Sequence, residues 1–349
     1  MSEKMKAAVF EGIENIKIKK VSKPNCGPDE IVVKVEACGI CGSDIRNFHI
    51  GLRHGVKSQI MGHEIAGIVH EIGDRIKKFK IGDKVAIAPD VSCGECFYCE
   101  HGFVNLCINH RMIGTHWPGG FAQFVKIPCE ILLHGMVHKI PEGLSFEEAT
   151  LSEPLSSVIT SQKEAGIGLG DTILIIGDGP IGCLHLEIAR ARGAFTIIMV
   201  GLKKLQSAKR FNPDYLIDAS STDPVNEVLK ITEGLGVDTA ICANPAASTQ
   251  EQAIESVRKR GRVILFGGLS KKDPWSKLNS NLIHYNELTL VGAFSYPAYM
   301  HKKALQVIKY KKISPEKYID KLVPLEKIVE GIKAAESGEA LKAVVKPWI

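Results

Sequence analysis

The sequence predicts an α/β protein of two domains, and three observations support this prediction. The chain has 349 residues, which is more than one hydrophobic core usually organises. Up to about residue 150 it consists of short β-like runs. From about Gly170 the rhythm changes, and apolar strands alternate with helical stretches. We therefore expect an all-β unit first and a parallel sheet covered by helices after it.

The first part of the chain predicts a barrel-like β unit. Its runs include EIVVKVEA, EIAGIVHEIG and GDKVAIAP, and turns that contain Gly, Pro or Asp separate them. The second part opens with DTILIIGDGPIGCLHLEIARARGAFTIIMVG, which indicates a strand, a glycine turn, a helix and a second strand. The runs VDTAICAN, GRVILFGG and ELTLVGAF follow, with a helical stretch QEQAIESVRK before the second of them. Such alternation is typical of a doubly wound parallel sheet.

The tail of the chain begins at about Ser295 and contains two helical stretches. Its last apolar run, KAVVKPW, is expected to return to the first domain. Hydrophobic residues make up 45% of the chain, and no run approaches the ~18 to 20 apolar residues that span a bilayer. The first residues, MSEKMKAAVFEG, lack the apolar core of a signal peptide. We therefore expect a cytoplasmic protein that does not associate with membranes.

The charge pattern argues against nucleic-acid binding. The net charge is only +5, and the lysines are scattered along the chain rather than massed on one predicted face. A small-molecule partner is therefore expected. The ten cysteines are more informative, because a reducing cytoplasm disfavours disulfides and leaves metal binding or catalysis as their commoner roles.

Four of the cysteines form the pattern C-x2-C-x2-C-x7-C within SCGECFYCEHGFVNLC: Cys93, Cys96, Cys99 and Cys107. Four thiolates at this spacing close a tetrahedral shell around one Zn²⁺, which leaves no position for a substrate. The pattern thus predicts a structural zinc. The alternatives are an iron–sulfur cluster, although the ferredoxin run has x3 and a following proline where this chain has x7 and Ile108, and free cysteines.

A second set of residues is a candidate for chemistry: CGICGSD, GHE and LSEPLSS. Cys41, His63 and a carboxylate from Glu64 or Glu153 give three ligands of mixed type, which is the composition of a catalytic zinc with one open position. Taken singly, a cysteine or a histidine is more often a packing residue than a ligand. Either carboxylate is as well suited to a neighbouring position as to the metal itself.

The order of these motifs, followed by G-x-G-x-x-G, resembles the zinc-dependent medium-chain alcohol dehydrogenases across nearly the whole chain. Glu153 stands where alcohol-oxidising members have a cysteine, which is most similar to the polyol (sorbitol-type) and threonine dehydrogenase branch. The resemblance implies a GroES-like β-barrel catalytic domain with both zinc sites over 1–153 and a Rossmann nucleotide-binding domain over 154–292. It also implies a C-terminal segment, 293–349, that returns to the catalytic domain, and a homo-oligomer that is a tetramer or a dimer.

Carried over by position, Cys41, His63 and Glu64 match ligands of the catalytic zinc, with Glu153 as a ligand or a close neighbour. The four clustered cysteines match the structural zinc lobe, whereas Cys38 matches no ligand. Two zinc ions per chain are therefore expected.

Ser43 matches the hydroxyl residue that passes on the alcohol proton. The chain departs from many relatives at Arg46, where they have a histidine, and a guanidinium cannot relay protons because its pKa stays above ~12. We expect the proton to leave through water or the cofactor ribose. His49 is close in sequence, but a structural or solvent-exposed role suits it better.

The turn IIGDGPIG places Gly177, Gly179 and Gly182 after a strand and at the start of a helix, as in dinucleotide-binding folds. Pro180 and Ile181 lie within this turn and are predicted to contribute to the cofactor site. The helix terminus offers free N–H groups to the pyrophosphate of a nicotinamide cofactor.

The end of the second strand bears on which cofactor is bound. NAD-specific folds usually carry Asp or Glu there, whereas this chain has Gly201, followed by Lys203 and Lys204. The missing acid removes repulsion toward a 2′-phosphate, and a nearby ammonium adds attraction. NADP is therefore favoured over NAD, although the lysines also suit a solvated helix start.

The predicted activity is reversible oxidation of a secondary alcohol, with a polyol as the first choice because two glutamates make an oxygen-rich metal environment. Arg46, Arg53, His54 and Lys57 are candidates for binding a substrate phosphate or carboxylate, and they also suit a solvated basic loop. A sugar-alcohol phosphate, threonine and a simple secondary alcohol thus stay open as substrates. A zinc-free quinone reductase or a non-catalytic nucleotide-binding protein is the alternative of another class.

Overall fold

The structure is a computed structural model that describes residues 3–52 and 55–349. The described residues form two compact units. Unit 1 contains those up to Ser156 together with Tyr296–Ile349, and unit 2 contains Ser157–Ser295. Within the described ranges, no helix combines the length and the apolar character needed to cross a membrane.

The strands of the described residues, in chain order, are β1 (Lys4–Gly12), β2 (Asn15–Ser22), β3 (Ile31–Gly39), β4 (Gln59–Ile60), β5 (Glu64–Ile72), β6 (Lys84–Ile87), β7 (Asp90–Val91), β8 (Arg111–Met112), β9 (Phe124–Ile127), β10 (Val137–Lys139), β11 (Thr172–Ile176), β12 (Thr196–Gly201), β13 (Tyr215–Asp218), β14 (Val237–Cys242), β15 (Val257–Leu265), β16 (Thr289–Gly292), β17 (Ile319–Pro324) and β18 (Lys342–Lys346).

The α-helices of the same residues are α1 (Gly42–Ile50), α2 (Phe97–Glu100), α3 (Cys129–Leu133), α4 (Phe146–Thr150), α5 (Ser152–Glu164), α6 (Pro180–Arg192), α7 (Leu205–Lys209), α8 (Pro224–Ile231), α9 (Ala247–Ser256), α10 (Ser280–Tyr285), α11 (Ala298–Lys309) and α12 (Ile328–Ser337).

Unit 1 is built around a mostly antiparallel sheet in the order β10-β6-β5-β3-β18-β17, with β9 also paired to β3. A small sheet, β2-β1-β4, and the pair β7-β8 complete it. The central strand β3 is buried along most of its length, because IVVKVEACG is apolar at nearly every position. The last strand, β18, pairs with β3 through Val344 opposite Gly39 and Val345 opposite Cys38. The end of the chain therefore lies beside the strand that leads to Cys41.

Unit 2 is a parallel sheet of six strands in the order β13-β12-β11-β14-β15-β16. This order reverses between β11 and β14, where α/β sheets form their ligand-binding crevice. Helix α6 begins directly after β11, with Pro180 in its first turn, and ends at Gly193, whose φ of 97° only glycine adopts readily. Its apolar side packs inward, so the glycine turn before it is fixed between a buried strand and a buried helix.

Candidate functional site

Three candidate ligands of unit 1 come from the ends of two paired strands. Cys41 follows β3 by two residues, and His63 directly precedes Glu64, the first residue of β5. Gly39 lies opposite Glu64 in the antiparallel pairing, so the end of β3 is beside the start of β5. Sγ of Cys41, a ring nitrogen of His63 and a carboxylate oxygen of Glu64 lie within 4.8 Å of one another. We call these three residues the mixed-ligand cluster, and their spacing suits one metal ion.

The His63 ring is contacted at both nitrogens by residues of α1. Nε2 lies 3.4 Å from the hydroxyl oxygen of Ser43, and Nδ1 lies 3.6 Å from Oδ1 of Asp44. Oδ2 of Asp44 accepts the backbone N–H of Cys41 at 3.0 Å, so one buried carboxylate orients two candidate ligands. Burial alone lowers the pKa of His63, but the negative charges of Asp44 and Cys41 outweigh it and raise that pKa well above its ordinary value. Such an excess of negative charge favours a bound cation.

Glu64 faces a buried lysine from the last strand of the chain. Lys342 on β18 is 3% exposed and Glu64 is 0% exposed. The Lys342 Nζ donates to Oε1 of Glu64 at 2.6 Å and also contacts Oε2. Burial lowers the pKa of Lys342, but the charge of Glu64 overcomes this effect and raises it, so the ammonium stays charged. The lysine holds Glu64 from the side of β18 and offsets one negative charge of the cluster.

Glu153, the second candidate carboxylate, lies in the first turn of α5 and has a different partner. The hydroxyl of the fully buried Tyr296 donates to its Oε1 at 3.1 Å. Desolvation raises the pKa of Glu153 to about 7, and the charges of Glu64 and Asp90 act in the same direction. Among the described residues, the group of close candidate ligands includes Glu64 and does not include Glu153. Glu153 is therefore a neighbour of the cluster in this structure.

The four clustered cysteines lie in a separate lobe of unit 1, around α2 and the start of β8. Their sulfurs converge: Cys96 lies 3.5 Å from Cys99, Cys107 lies 3.5 Å from Cys93, and Cys93 lies 4.0 Å from Cys99. Four sulfurs at ~2.3 Å from one zinc in a tetrahedron stand about 3.8 Å apart, so the donor set fits this ion. We call Cys93, Cys96, Cys99 and Cys107 the four-cysteine cluster.

Backbone N–H groups surround the sulfurs of this cluster. The N–H of Cys93 donates to the sulfur of Cys107 at 3.2 Å. Hydrogen bonds from the backbone of Ile108 and Cys99 lower the pKa of Cys96 to about 6, whereas burial raises the pKa of Cys107 to about 12. N–H groups directed at sulfur favour thiolates, and thiolates are the metal-binding form.

The glycine turn of unit 2 has the geometry of a phosphate cradle. A Cβ at Gly182 would lie 1.9 Å from the carbonyl oxygen of Gly177, so only glycine permits this close approach of helix and strand. A Cβ at Gly179 would meet nothing within 4 Å, which leaves open space at the N-terminus of α6. Pro180 and Ile181 form the first turn of that helix. A dinucleotide pyrophosphate fits this arrangement, because the N–H groups of a helix's first turn have no acceptor within the helix and the space beside them is open.

Gly201 is the last residue of β12, and Lys203 and Lys204 lie in the turn that leads to α7. Lys203 is exposed, and Lys204 is half-buried directly before the helix. The residues predicted to distinguish NADP from NAD thus lie in one short segment. This segment is beside the glycine turn, because β11 and β12 are neighbours in the sheet.

The basic residues predicted near the substrate differ in their exposure and in whether the structure describes them. Lys57 is exposed, and Arg53 and His54 lie outside the described residues. Arg46 is half-buried on α1. His49 binds two carboxylates, Glu14 through Nδ1 at 2.8 Å and Glu336 through Nε2 at 3.1 Å, which is a structural role.

Comparison with known proteins decides the family. Residues 27–142 match the family described as "Alcohol dehydrogenase GroES-like domain", and residues 180–310 match "Zinc-binding dehydrogenase". The chain is 34% identical to a sorbitol dehydrogenase of Bacillus subtilis over 99% of this chain and 98% of the relative. It is 32% identical to a D-arabitol-phosphate dehydrogenase of Enterococcus avium, again over 99% of this chain and 98% of the relative.

The chain belongs to the zinc-dependent medium-chain alcohol dehydrogenases. A solved structure described as a zinc-binding dehydrogenase from Sinorhizobium meliloti 1021 bound to NADP has a TM-score of 0.91 and 31% identity, over 99% of this chain and 100% of that chain. The predicted fold class, a GroES-like domain with a Rossmann domain, is confirmed. As a member of this family, the protein is an oxidoreductase that uses zinc and a nicotinamide cofactor on an alcohol.

Three residues of this dehydrogenase site were not assigned a role from the sequence: Asp44, Tyr296 and Lys342. Asp44 had a local signal, since a carboxylate three residues after a helix N-cap often bonds back to the cap backbone. Tyr296 and Lys342 had none, because their partners Glu153 and Glu64 are 143 and 278 residues away in the chain.

Proposed function

We propose that this enzyme reversibly oxidises a polyol at a secondary hydroxyl, with NADP⁺ preferred over NAD⁺ as the hydride acceptor. The observation that carries the proposal is the presence of two carboxylates, Glu64 and Glu153, beside one cysteine and one histidine. Oxygen donors give a harder metal environment than a second cysteine, and hard sites suit vicinal hydroxyl groups. The relatives named for sorbitol and arabitol phosphate support the same substrate class.

Two zinc ions per chain are part of the proposal. The mixed-ligand cluster holds one of them, with Glu153 as a ligand or a close neighbour, and the four-cysteine cluster holds the other with its shell closed. Zinc bound at the mixed-ligand cluster would act as a Lewis acid and polarise the substrate oxygen. Asp44 and Lys342 keep His63 and Glu64 in place for that ion.

Ser43 takes part in removing the proton of the substrate hydroxyl. Its own hydroxyl lies 3.4 Å from His63 Nε2, next to the proposed metal position. Arg46 cannot pass the proton on, because a guanidinium does not titrate near neutral pH. His49 is paired with Glu14 and Glu336. The proton therefore leaves through water or through the ribose of the cofactor.

The cofactor is placed by the glycine turn, with Gly177, Gly179, Pro180, Ile181 and Gly182 at the pyrophosphate. The preference for NADP depends on the segment after β12. Gly201 brings no carboxylate to the ribose, and the ammonium groups of Lys203 and Lys204 attract a 2′-phosphate. The NADP-bound relative supports this preference.

We further propose a cytoplasmic homo-oligomer, either a dimer or a tetramer. The lobe of the four-cysteine cluster exposes large apolar side chains, including Phe97 at 65%, Phe103 at 55% and Ile108 at 71%. Large exposed apolar side chains in one lobe support the proposal that another chain covers this surface. None of the ten cysteines, all of which lie within the described residues, forms a disulfide in the structure, in keeping with a reducing compartment.

The test is an absorbance assay at 340 nm with zinc-loaded protein, run in parallel with NADP⁺ and NAD⁺. Its panel contains polyols, their phosphates, threonine and simple secondary alcohols. We expect the highest kcat/KM with a polyol or its phosphate, and a higher rate with NADP⁺. Highest activity on threonine or on a monohydric alcohol would replace the substrate class. A chain with one zinc that reduces quinones, or that binds nucleotide without turnover, would replace the mechanism.

A further inference from the structure

A carboxylate from the glycine turn organises the segment that follows β12. Oδ2 of Asp178 accepts the backbone N–H of Leu202 at 2.9 Å and that of Lys204 at 2.6 Å. The parallel pairing of β11 with β12, which sets Ile176 beside Val200, brings the ends of the two strands together. Asp178 therefore fixes the backbone of the turn that carries the lysines of the proposed cofactor site.

The same side chain explains why residue 201 is glycine. Gly201 is not among the glycines with positive φ, so its backbone conformation is open to any residue. A Cβ at this position would lie 2.5 Å from Cβ of Asp178 and 2.6 Å from its Oδ2. Real Cβ atoms do not approach other atoms within 3.0 Å, and Cβ of Asp178 cannot rotate away, because it is bonded directly to the backbone. Asp178 thus occupies the space of a side chain at position 201.

We propose that Asp178 determines the cofactor preference of this enzyme by excluding an acidic residue from the end of β12. An acid at that strand end binds the ribose hydroxyls of NAD and repels a 2′-phosphate. The acid that is present, Asp178, has its Oδ2 committed to two backbone N–H groups, which offset its charge. This inference rests on the proposed use of NADP and identifies Asp178 as the positioning residue behind it.

Asp218 is the other carboxylate beside Gly201, since the two residues are paired in the parallel register of β12 and β13. Its Oδ1 accepts both the backbone N–H and the hydroxyl of Ser220. Asp218 does not fill the Cβ position of Gly201, because all three of the nearest atoms there belong to Asp178. It therefore serves as a matched control, an acid of the same region without the steric conflict.

The experiment is a double-mutant cycle with binding of NADPH and NADH measured by fluorescence titration and folding followed by thermal unfolding. Gly201→Ala is expected to weaken both cofactors by roughly tenfold to a hundredfold, as overpacking of a well-packed site does. Adding Asp178→Gly is expected to restore affinity to within about threefold of the Asp178→Gly single variant, because the added methyl group then has space. Adding Asp218→Ala to Gly201→Ala is expected to restore nothing.

The pair Asp178→Gly with Gly201→Asp tests specificity. We expect the ratio of NADPH to NADH affinity to fall roughly tenfold or more, since the new carboxylate repels the 2′-phosphate. Gly201→Asp alone is expected to weaken both cofactors. If Gly201→Asp alone gave a folded protein that binds NADH more tightly, or if Asp178→Gly failed to rescue Gly201→Ala, the proposal would be wrong. A wild-type preference for NADH overturns the proposed NADP preference, whereas the alanine rescue decides the steric coupling separately.

Discussion

The two candidate metal sites of unit 1 are held in opposite ways. The four-cysteine cluster takes all its ligands from residues 93–107, and its sulfurs contact one another and nearby backbone N–H groups. The mixed-ligand cluster takes its residues from the ends of two strands, and Asp44 and Lys342 hold them in place. Tyr296 holds Glu153, which is a neighbour of the cluster. A closed shell can be completed by one local loop. An open shell leaves charges and hydrogen-bonding groups unsatisfied, so side chains from distant parts of the chain must hold it.

The largest difference is expected in catalysis. Replacing His63 by Gln should lower kcat by roughly a thousandfold or more, because the metal contributes several kcal/mol to stabilising the transition state. Binding of NADPH should persist, since the glycine turn belongs to unit 2. Steady-state kinetics with the preferred alcohol and fluorescence titration measure both effects. The matched control is His101→Gln, an exposed histidine in the lobe of the four-cysteine cluster, which should keep full activity.

The reverse pattern is expected for the four-cysteine cluster. Replacing Cys99 by Ser should lower the free energy of unfolding by several kcal/mol, because metal binding at a closed shell contributes to folding itself. The kcat of the fraction that stays folded should change little. Denaturant unfolding and active-site titration separate the two quantities. A large loss of kcat at unchanged stability would mean that this cluster takes part in the chemistry.

The third contrast concerns the buried ion pair between Lys342 and Glu64 of the mixed-ligand cluster. In the metal-free protein, replacing Lys342 by Met should destabilise the fold by about 3 to 5 kcal/mol, because the carboxylate of Glu64 is left buried without a partner. The control is Lys346→Met on the same strand, whose partner Glu147 is partly exposed, and its cost should be about 1 kcal/mol or less. Urea unfolding of both variants measures the difference. Equal costs would show that Glu64 does not depend on the lysine.

A pair of buried or half-buried histidines lies outside both clusters. Nδ1 of His138 lies 2.9 Å from Nδ1 of His301, whose Nε2 lies 2.9 Å from Oγ of Ser152. Ser152 donates its hydroxyl proton to a backbone carbonyl, so His301 donates from Nε2 and accepts from His138 at Nδ1. Both rings are neutral in this arrangement. Burial, with the positive charges of Lys78 and Lys302, lowers the pKa of His138 to about 4.

This pair predicts a smaller, pH-dependent effect. The pKa of His138 is about 4 in the folded protein and 6.5 ordinarily, so the unfolded chain binds more protons between these values. The contribution of neutral His138 to the free energy of unfolding is therefore fully present above pH 6.5. It decreases as the pH falls toward 4, by up to about 3 kcal/mol. Urea unfolding across this range, compared with His138→Gln, measures the contribution. A variant with the same pH dependence as the wild type would contradict it.

The sequence could predict what depends on neighbours along the chain. The cysteine spacing, the glycine turn and the strands β3, β5 and β6 are local patterns of residue type and apolar run. Strand β13 was not identified, because YLID is short and half-exposed. Helix α8 was missed although Asp223 and Pro224 form a helix start signal in the sequence. Pairing between distant segments leaves no such pattern in the sequence. The contacts of Lys342 with Glu64 and of Tyr296 with Glu153 are therefore shown only by the folded structure.

Gly201 illustrates the same limit at one residue. The sequence alone indicates that an acidic residue is missing at the end of the second strand, but it does not give the reason. The contact with Asp178 gives the physical reason, and this contact exists because β11 and β12 are neighbours in the sheet. The choice between Glu64 and Glu153 is of the same kind, since both are acids in short motifs and only the fold separates their partners.

The most direct test of the division between the two clusters is the zinc content of the wild type and of Cys41→Ser, measured by elemental analysis after gel filtration. We expect two zinc ions per chain in the wild type and one in the variant, which should stay folded and lose its dehydrogenase activity. One zinc per chain in both proteins, with activity retained in the variant, would contradict the assignment of the mixed-ligand cluster as the metal site that performs the chemistry.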